Sequence, residues 1–145
     1  MKQIGMICSG LCMLLLVSGC SKPETGLGEH GLQPCPDRPN CVTSLNGGDT
    51  HSVSPILYLS GREAAREKIR RIVSEMKRTR IITDQPGYLH VVFTSRVMRF
   101  KDDVEFWFPE KGNSIHIRSA SRVGYSDLGV NRKRVEEIRN RFLRE

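Results

Sequence analysis

Tyr88-Leu89-His90-Val91-Val92-Phe93-Thr94, Val104-Glu105-Phe106-Trp107-Phe108 and Ile115-His116-Ile117-Arg118 decide the fold. In the first, Leu89, Val91 and Phe93 alternate with Tyr88, His90 and Val92. In the second, Val104, Phe106 and Phe108 alternate with Glu105 and Trp107; in the third, Ile115 and Ile117 alternate with His116 and Arg118. Successive side chains of a strand point to opposite faces, so this alternation predicts strands with one apolar face each. Turn residues separate them: Asp84-Gln85-Pro86-Gly87 before the first and Pro109 to Asn113 between the last two. The first strand is expected over Tyr88–Arg96, with Val97–Phe100 continuing it after a kink, and Arg80–Thr83 forms a short strand before it.

Outward from these strands the period changes. Upstream, Ala65, Ile69, Ile72, Val73 and Met76 recur at helical spacing, and Ser60-Gly61-Arg62-Glu63 has the layout of a capping box. Downstream, Val135, Ile138 and Phe142 place a last helix from about Val130 onward. Val53–Leu59 is expected as a first strand, at an edge because Pro55 lacks an N–H. The fold class is therefore α+β: an antiparallel meandering sheet with one helix before it and one C-terminal helix. The polar face of the first helix carries Arg62, Arg66, Lys68, Arg70, Arg71, Lys77 and Arg78 against Glu63, Glu67 and Glu75. Acid–base spacing along it favours an ordinary solvated face over one turned to anionic lipid.

Polar residues concentrate in Arg118-Ser119-Ala120-Ser121-Arg122-Val123-Gly124-Tyr125-Ser126-Asp127-Leu128-Gly129-Val130-Asn131-Arg132. A second charged run, Arg96 to Glu105, sits at a strand junction. Two readings compete for these residues. One is a charge network, with Arg118 and Arg122 held by Asp102, Asp103, Glu105 or Asp127. The other is an anion site, with Arg118, Arg122 and Arg132 as cations and Ser119, Ser121, Tyr125 and Asn131 as hydrogen-bonding neighbours. Arginine offers a rigid fork to phosphate or carboxylate, and the N–H groups opening the last helix favour negative charge. Asp102 and Asp103 are adjacent and on a strand point to opposite faces, which suits them poorly to paired-carboxylate chemistry.

The runs Pro34-Cys35-Pro36 to Asn40-Cys41-Val42, Arg99-Phe100 with Asp102-Asp103-Val104-Glu105-Phe106, and Arg118-Ser119-Ala120-Ser121-Arg122 to Asn131-Arg132 carry a resemblance. Together they resemble the protein family of unknown function numbered 1499, from about Gly31 to the C-terminus. The resemblance implies a single domain associated with an envelope or organelle. It implies no activity.

The N-terminus speaks to location. Lys2, an apolar run from Ile4 to Val17, and Ser18-Gly19-Cys20 give a charged region, a hydrophobic region and a cleavage box that ends in cysteine. That layout predicts a lipoprotein signal peptide over residues 1–19 and a diacylglycerol on Cys20. The apolar run is short for a membrane span, which needs about 20 residues. Residues 20–31 are polar and glycine-rich, a flexible lipidated tether. Residues 32–145 are then a single α+β domain. Ser21 rather than Asp after the cysteine favours an outer membrane, facing the periplasm, where two membranes exist.

Cys8 and Cys12 leave with the signal, so Cys35 and Cys41 remain as a pair. In an oxidising compartment they predict a disulfide. The rival is a metal site with His30 or His51, for which the cysteine spacing is wide. The formal net charge of +7 and pI near 9.5 fall on an exported chain. Anionic lipid, glycan, a small metabolite or an acidic envelope protein are thus the expected partners, not nucleic acid. Ser119, Ser121 or Ser126 with His51, His90 or His116 and Asp127 supply the residue types of a hydrolytic triad, yet no Gly-x-Ser-x-Gly elbow occurs. Nor does any His-Glu-x-x-His, phosphate loop or dinucleotide fingerprint, so no catalytic residue, metal or cofactor is assigned. The expected role is a membrane-anchored, non-enzymatic envelope accessory with an anionic-ligand site. A hydrolase or transferase, or a protein-interaction module, are the alternatives.

Overall fold

A computed structural model describes residues 25–144. The segment read as a signal peptide over residues 1–19, and Cys20, lie outside the described residues. Mixed helix and strand, as the periodicities require, form a helix layer on one face of an antiparallel sheet. Its elements are β1 (Leu27–Gly28), β2 (Gly31–Leu32), β3 (Cys41–Thr43), α1 (Gly48–His51), β4 (Ile56–Leu57), α2 (Arg62–Glu75), β5 (Thr79–Gln85), β6 (Tyr88–Thr94), β7 (Lys101–Trp107), β8 (Ser114–Ser121) and α3 (Val130–Arg144). The six-stranded sheet runs β3-β8-β7-β6-β5, with β4 pairing the start of β8.

The expected alternation sorts the sheet's two faces. Leu89, Val91, Phe93, Val104, Phe106, Phe108, Ile115 and Ile117 join Ile69, Ile72, Val73, Val135 and Ile138 in one core beneath α2 and α3. The other face carries Tyr88, His90, Asp103, Glu105 and Arg118, and all of them are buried too. A short strap covers part of it. β1 and β2 pair with each other, and Gly31, at φ +105°, lies so close to Trp107 that a Cβ there would sit 2.5 Å from the indole.

Several sequence expectations need correction. Gly26–Gly31, taken as the end of a tether, belong to the fold, because Gly26 N–H reaches the buried Glu105 carboxylate at 2.6 Å. Ser60 does not cap α2. The helix starts at Arg62 with extended Gly61 before it and no side-chain cap, and Glu63 turns instead to Arg66. The strand expected over Val53–Leu59 shrinks to Ile56–Leu57, just past Pro55. Ser95–Phe100 does not prolong β6. It is a tight loop, closed by Ser95 N–H to Phe100 O (2.8 Å) and Phe100 N–H to Ser95 Oγ (2.9 Å). α3 begins at Val130, and Val135, Ile138 and Phe142 are its buried stripe. Cys35 and Cys41 form the disulfide, so both thiols are committed to it rather than to a metal.

Candidate functional site

Asp102 and Asp103 do point to opposite faces, and each organises a network. On the helix side, Arg134 Nη2 donates to Asp102 Oδ2 (2.6 Å) while its guanidinium lies over the Phe93 ring. Asn131, fully buried, links this side together. Its Oδ1 accepts from Ser119 Oγ (2.6 Å) and Arg134 Nη1 (2.6 Å), and its Nδ2 donates to Asn40 O (2.9 Å) and Ser121 Oγ (3.0 Å). Asp127 fills the start of α3: its carboxylate accepts from the N–H of Asn131 (2.6 Å) and of Gly129 (3.0 Å). The negative charge favoured at that helix end is thus the protein's own.

The opposite face holds two buried carboxylates side by side on β7. Glu105 accepts from Tyr88 Oη (2.7 Å) and Gly26 N–H on Oε1 and from Arg118 Nη1 (2.8 Å) on Oε2. Burial, then the hydrogen bond and charge of Glu105, push the Tyr88 phenol well above its ordinary range. Asp103 accepts from His90 Nε2 (2.7 Å) and, in a two-point grip, from Arg122 Nε (2.8 Å) and Nη2 (2.7 Å). Burial alone would raise the Asp103 carboxyl, but the hydrogen bonds and charges of His90 and Arg122 outweigh it and hold it down at about 2. The same pairing raises the Arg122 guanidinium.

The expected ligand-binding residues therefore separate. Arg118 is buried against Glu105, while Ser119, Ser121 and Asn131 bond one another on the other face. Arg132 is spent on the carbonyls of Ser52 (2.7 Å) and Thr50 (3.0 Å), and Tyr125 is exposed on the loop before α3. The residues weighed for a hydrolytic triad also go elsewhere. Ser126 Oγ accepts from Leu128 N–H, His51 meets Cys41 O, and His116 sits between Ser44 and Ser114. Burial lowers the His116 pKa.

Of the expected ligand-binding residues, Arg122 lines an opening. Beyond Asp103, where β5 and β7 start and β6 ends, Arg78, Thr79, Arg80, Val92, Thr94, Arg99, Lys101 and Arg122 line a cleft of about 370 Å³. The register explains the grouping: Arg80 pairs with Val92, Val92 with Asp103, and Thr94 with Lys101, which brings their side chains to one face. Among the described residues, no carboxylate lines the cleft. Among the described residues, Arg80, Arg99 and Lys101 have no ion-pair partner, and Arg78 Nε is engaged only by Thr94 O (3.1 Å). The α2 face differs: Arg66 and Arg70 meet Glu63, Glu67 and Asp84, Arg62 donates to Phe108 O, and Lys68 lies over Phe142. Sequence reasoning passed over Arg78, Arg80 and Lys101 as ligand contacts. The available signal was a cluster of cations at both ends of one hairpin, on β5 and on the β6–β7 connection.

The model of a protein family of unknown function (DUF1499) matches residues 31–142. The chain belongs to that family. The matched DUF1499 segment takes in the side chains of both buried networks, the disulfide and every residue lining the cleft. No curated protein and no solved structure matches the chain.

Proposed function

We propose that this DUF1499 protein is a lipid-anchored, non-enzymatic accessory of the cell envelope whose domain binds an anionic ligand in the cationic cleft. One observation carries the binding reading: arginine and lysine side chains converge on a shared opening whose wall, among the described residues, holds no carboxylate. Like charges gathered this way repel one another, and a phosphate or carboxylate group relieves that repulsion with charge-assisted hydrogen bonds. Arg122 is already oriented there by Asp103. The signal-peptide layout ending at Cys20 supports the anchor, and the Cys35–Cys41 disulfide suits an oxidising compartment. An outer membrane, with the domain facing the periplasm, is the proposed location.

The test is a native mass spectrum of the intact protein extracted gently from its own envelope. The expected spectrum shows diacylglycerol on Cys20 and a co-purifying anion that is missing from a folded Arg80→Ala/Arg99→Ala variant. Protein carrying lipid but no anion in either form would overturn the binding reading. Unlipidated Cys20 would overturn the anchor.

A further inference from the structure

The cleft has a neighbour that the anion alone does not explain. The Ser95–Phe100 loop projects Val97 and Met98 into solvent, 81% and 65% exposed, with Phe100 at 47%. Apolar side chains at a loop tip gain nothing from water, yet this tip is held in shape rather than left slack. Two hydrogen bonds close it between Ser95 and Phe100, and Arg99 takes a left-handed backbone at φ +57°. Cations are interspersed among its apolar residues and follow them, in the order Arg96, Val97, Met98, Arg99, Phe100, Lys101. Arg99 and Lys101 also line the cleft. Exposed Val123 lies alongside, since Arg122 N–H bonds Lys101 O (3.0 Å).

We infer that this end of the domain docks on an anionic bilayer surface, with Val97, Met98 and Phe100 inserted among lipids and a phosphate headgroup in the cleft. The inference rests on the cleft reading and names its ligand's source. Charge complementarity selects a membrane carrying net negative lipid, since interfacial segments combine apolar insertion with attraction of cations to anionic headgroups. Chain length agrees. Gly26 is fixed at Glu105, four residues along β7 from Lys101, a distance of about 13 Å at about 3.3 Å per residue. The residues between Cys20 and Gly26 span up to about 20 Å when extended. A lipid on Cys20 therefore allows the cationic end to reach the same membrane.

The experiment uses the full lipidated chain carrying Met98→Cys, labelled with a polarity-sensitive fluorophore. It is reconstituted into vesicles of phosphatidylcholine alone, or of phosphatidylcholine and phosphatidylglycerol in equal parts. Lipids with brominated acyl chains serve as quenchers. The expected result is blue-shifted, quenched emission only with phosphatidylglycerol. Each cation removed by Arg80→Ala, Arg99→Ala or Lys101→Ala should lower the inserted-to-free ratio about fivefold. In parallel, inorganic phosphate is titrated into the same chain in neutral detergent. A label in water in both vesicles, with phosphate still binding and lost in Arg80→Ala, overturns bilayer docking and leaves the cleft reading standing. A label in water and no phosphate binding overturns both. Equal insertion in both vesicles overturns the headgroup's part in docking.

Discussion

Two sets of cations share the face of the sheet turned away from the helices, and they live by different rules. Arg118 is 2% exposed and holds Glu105; Arg122, at the rim, holds Asp103. Arg80, Arg99 and Lys101, a few residues away, are exposed and have no carboxylate partner among the described residues. The difference follows from solvation. Moving an ion out of water costs several kcal/mol, so a buried arginine comes with its own acid. A surface arginine needs none, and several gathered without acids repel one another. Arginine number therefore says little about binding; arginine left unneutralised beside others says more.

The comparison breaks most visibly at its buried half. Glu105→Ala leaves the Arg118 charge buried and strips Tyr88 and Gly26 of their acceptor. We expect a loss of about 3–5 kcal/mol in denaturant unfolding. A loss under about 1 kcal/mol would show that the pair is not structural. Gly31→Ala comes next. Its Cβ would collide with Trp107 at a positive φ, so the strap should lift, costing about 2 kcal/mol, with faster hydrogen exchange at Gly26.

The pH dependence of Asp103 sharpens the same half. Its folded pKa is depressed, so its contribution is present above the ordinary aspartate value and is lost as pH falls towards the folded one. Acid titration of stability should therefore steepen between about 3.9 and about 2, and Asp103→Asn should remove that component. An unchanged acid limb would place the titrating group elsewhere. The smallest effect on stability belongs to the open half: Arg80→Ala/Arg99→Ala should shift unfolding by less than about 0.5 kcal/mol. That near-silence is what makes the pair useful for reading binding alone.

Much of the fold was legible in the sequence, because each of its signals is local. The alternation of Leu89, Val91 and Phe93 with Tyr88, His90 and Val92 places strand and faces together. The stripe of Val135, Ile138 and Phe142 does the same for α3, and the adjacency of Asp102 and Asp103 assigns them to separate networks. What escaped depends on contacts distant in sequence. Gly26–Gly31 has a linker's composition, and contacts with Glu105 and Trp107, far along the chain, help fix it in place. Ser60 has a cap's chemistry one residue too early. The candidate site was legible in part: Arg122 was named, but the register that joins Arg80, Val92 and Lys101 beside it is a property of the sheet. Asn131 and Ser119 looked like ligand contacts because hydrogen-bonding side chains serve a buried hub and a binding site equally well.

The most direct measurement is a calorimetric titration of the full chain, in neutral detergent, with inorganic phosphate, for the natural sequence and for Arg80→Ala/Arg99→Ala. Saturable binding that disappears in a variant of unchanged unfolding midpoint is the predicted result. Binding that survives the double substitution, or no binding by the natural sequence, would contradict the assignment of the cleft as an anion site.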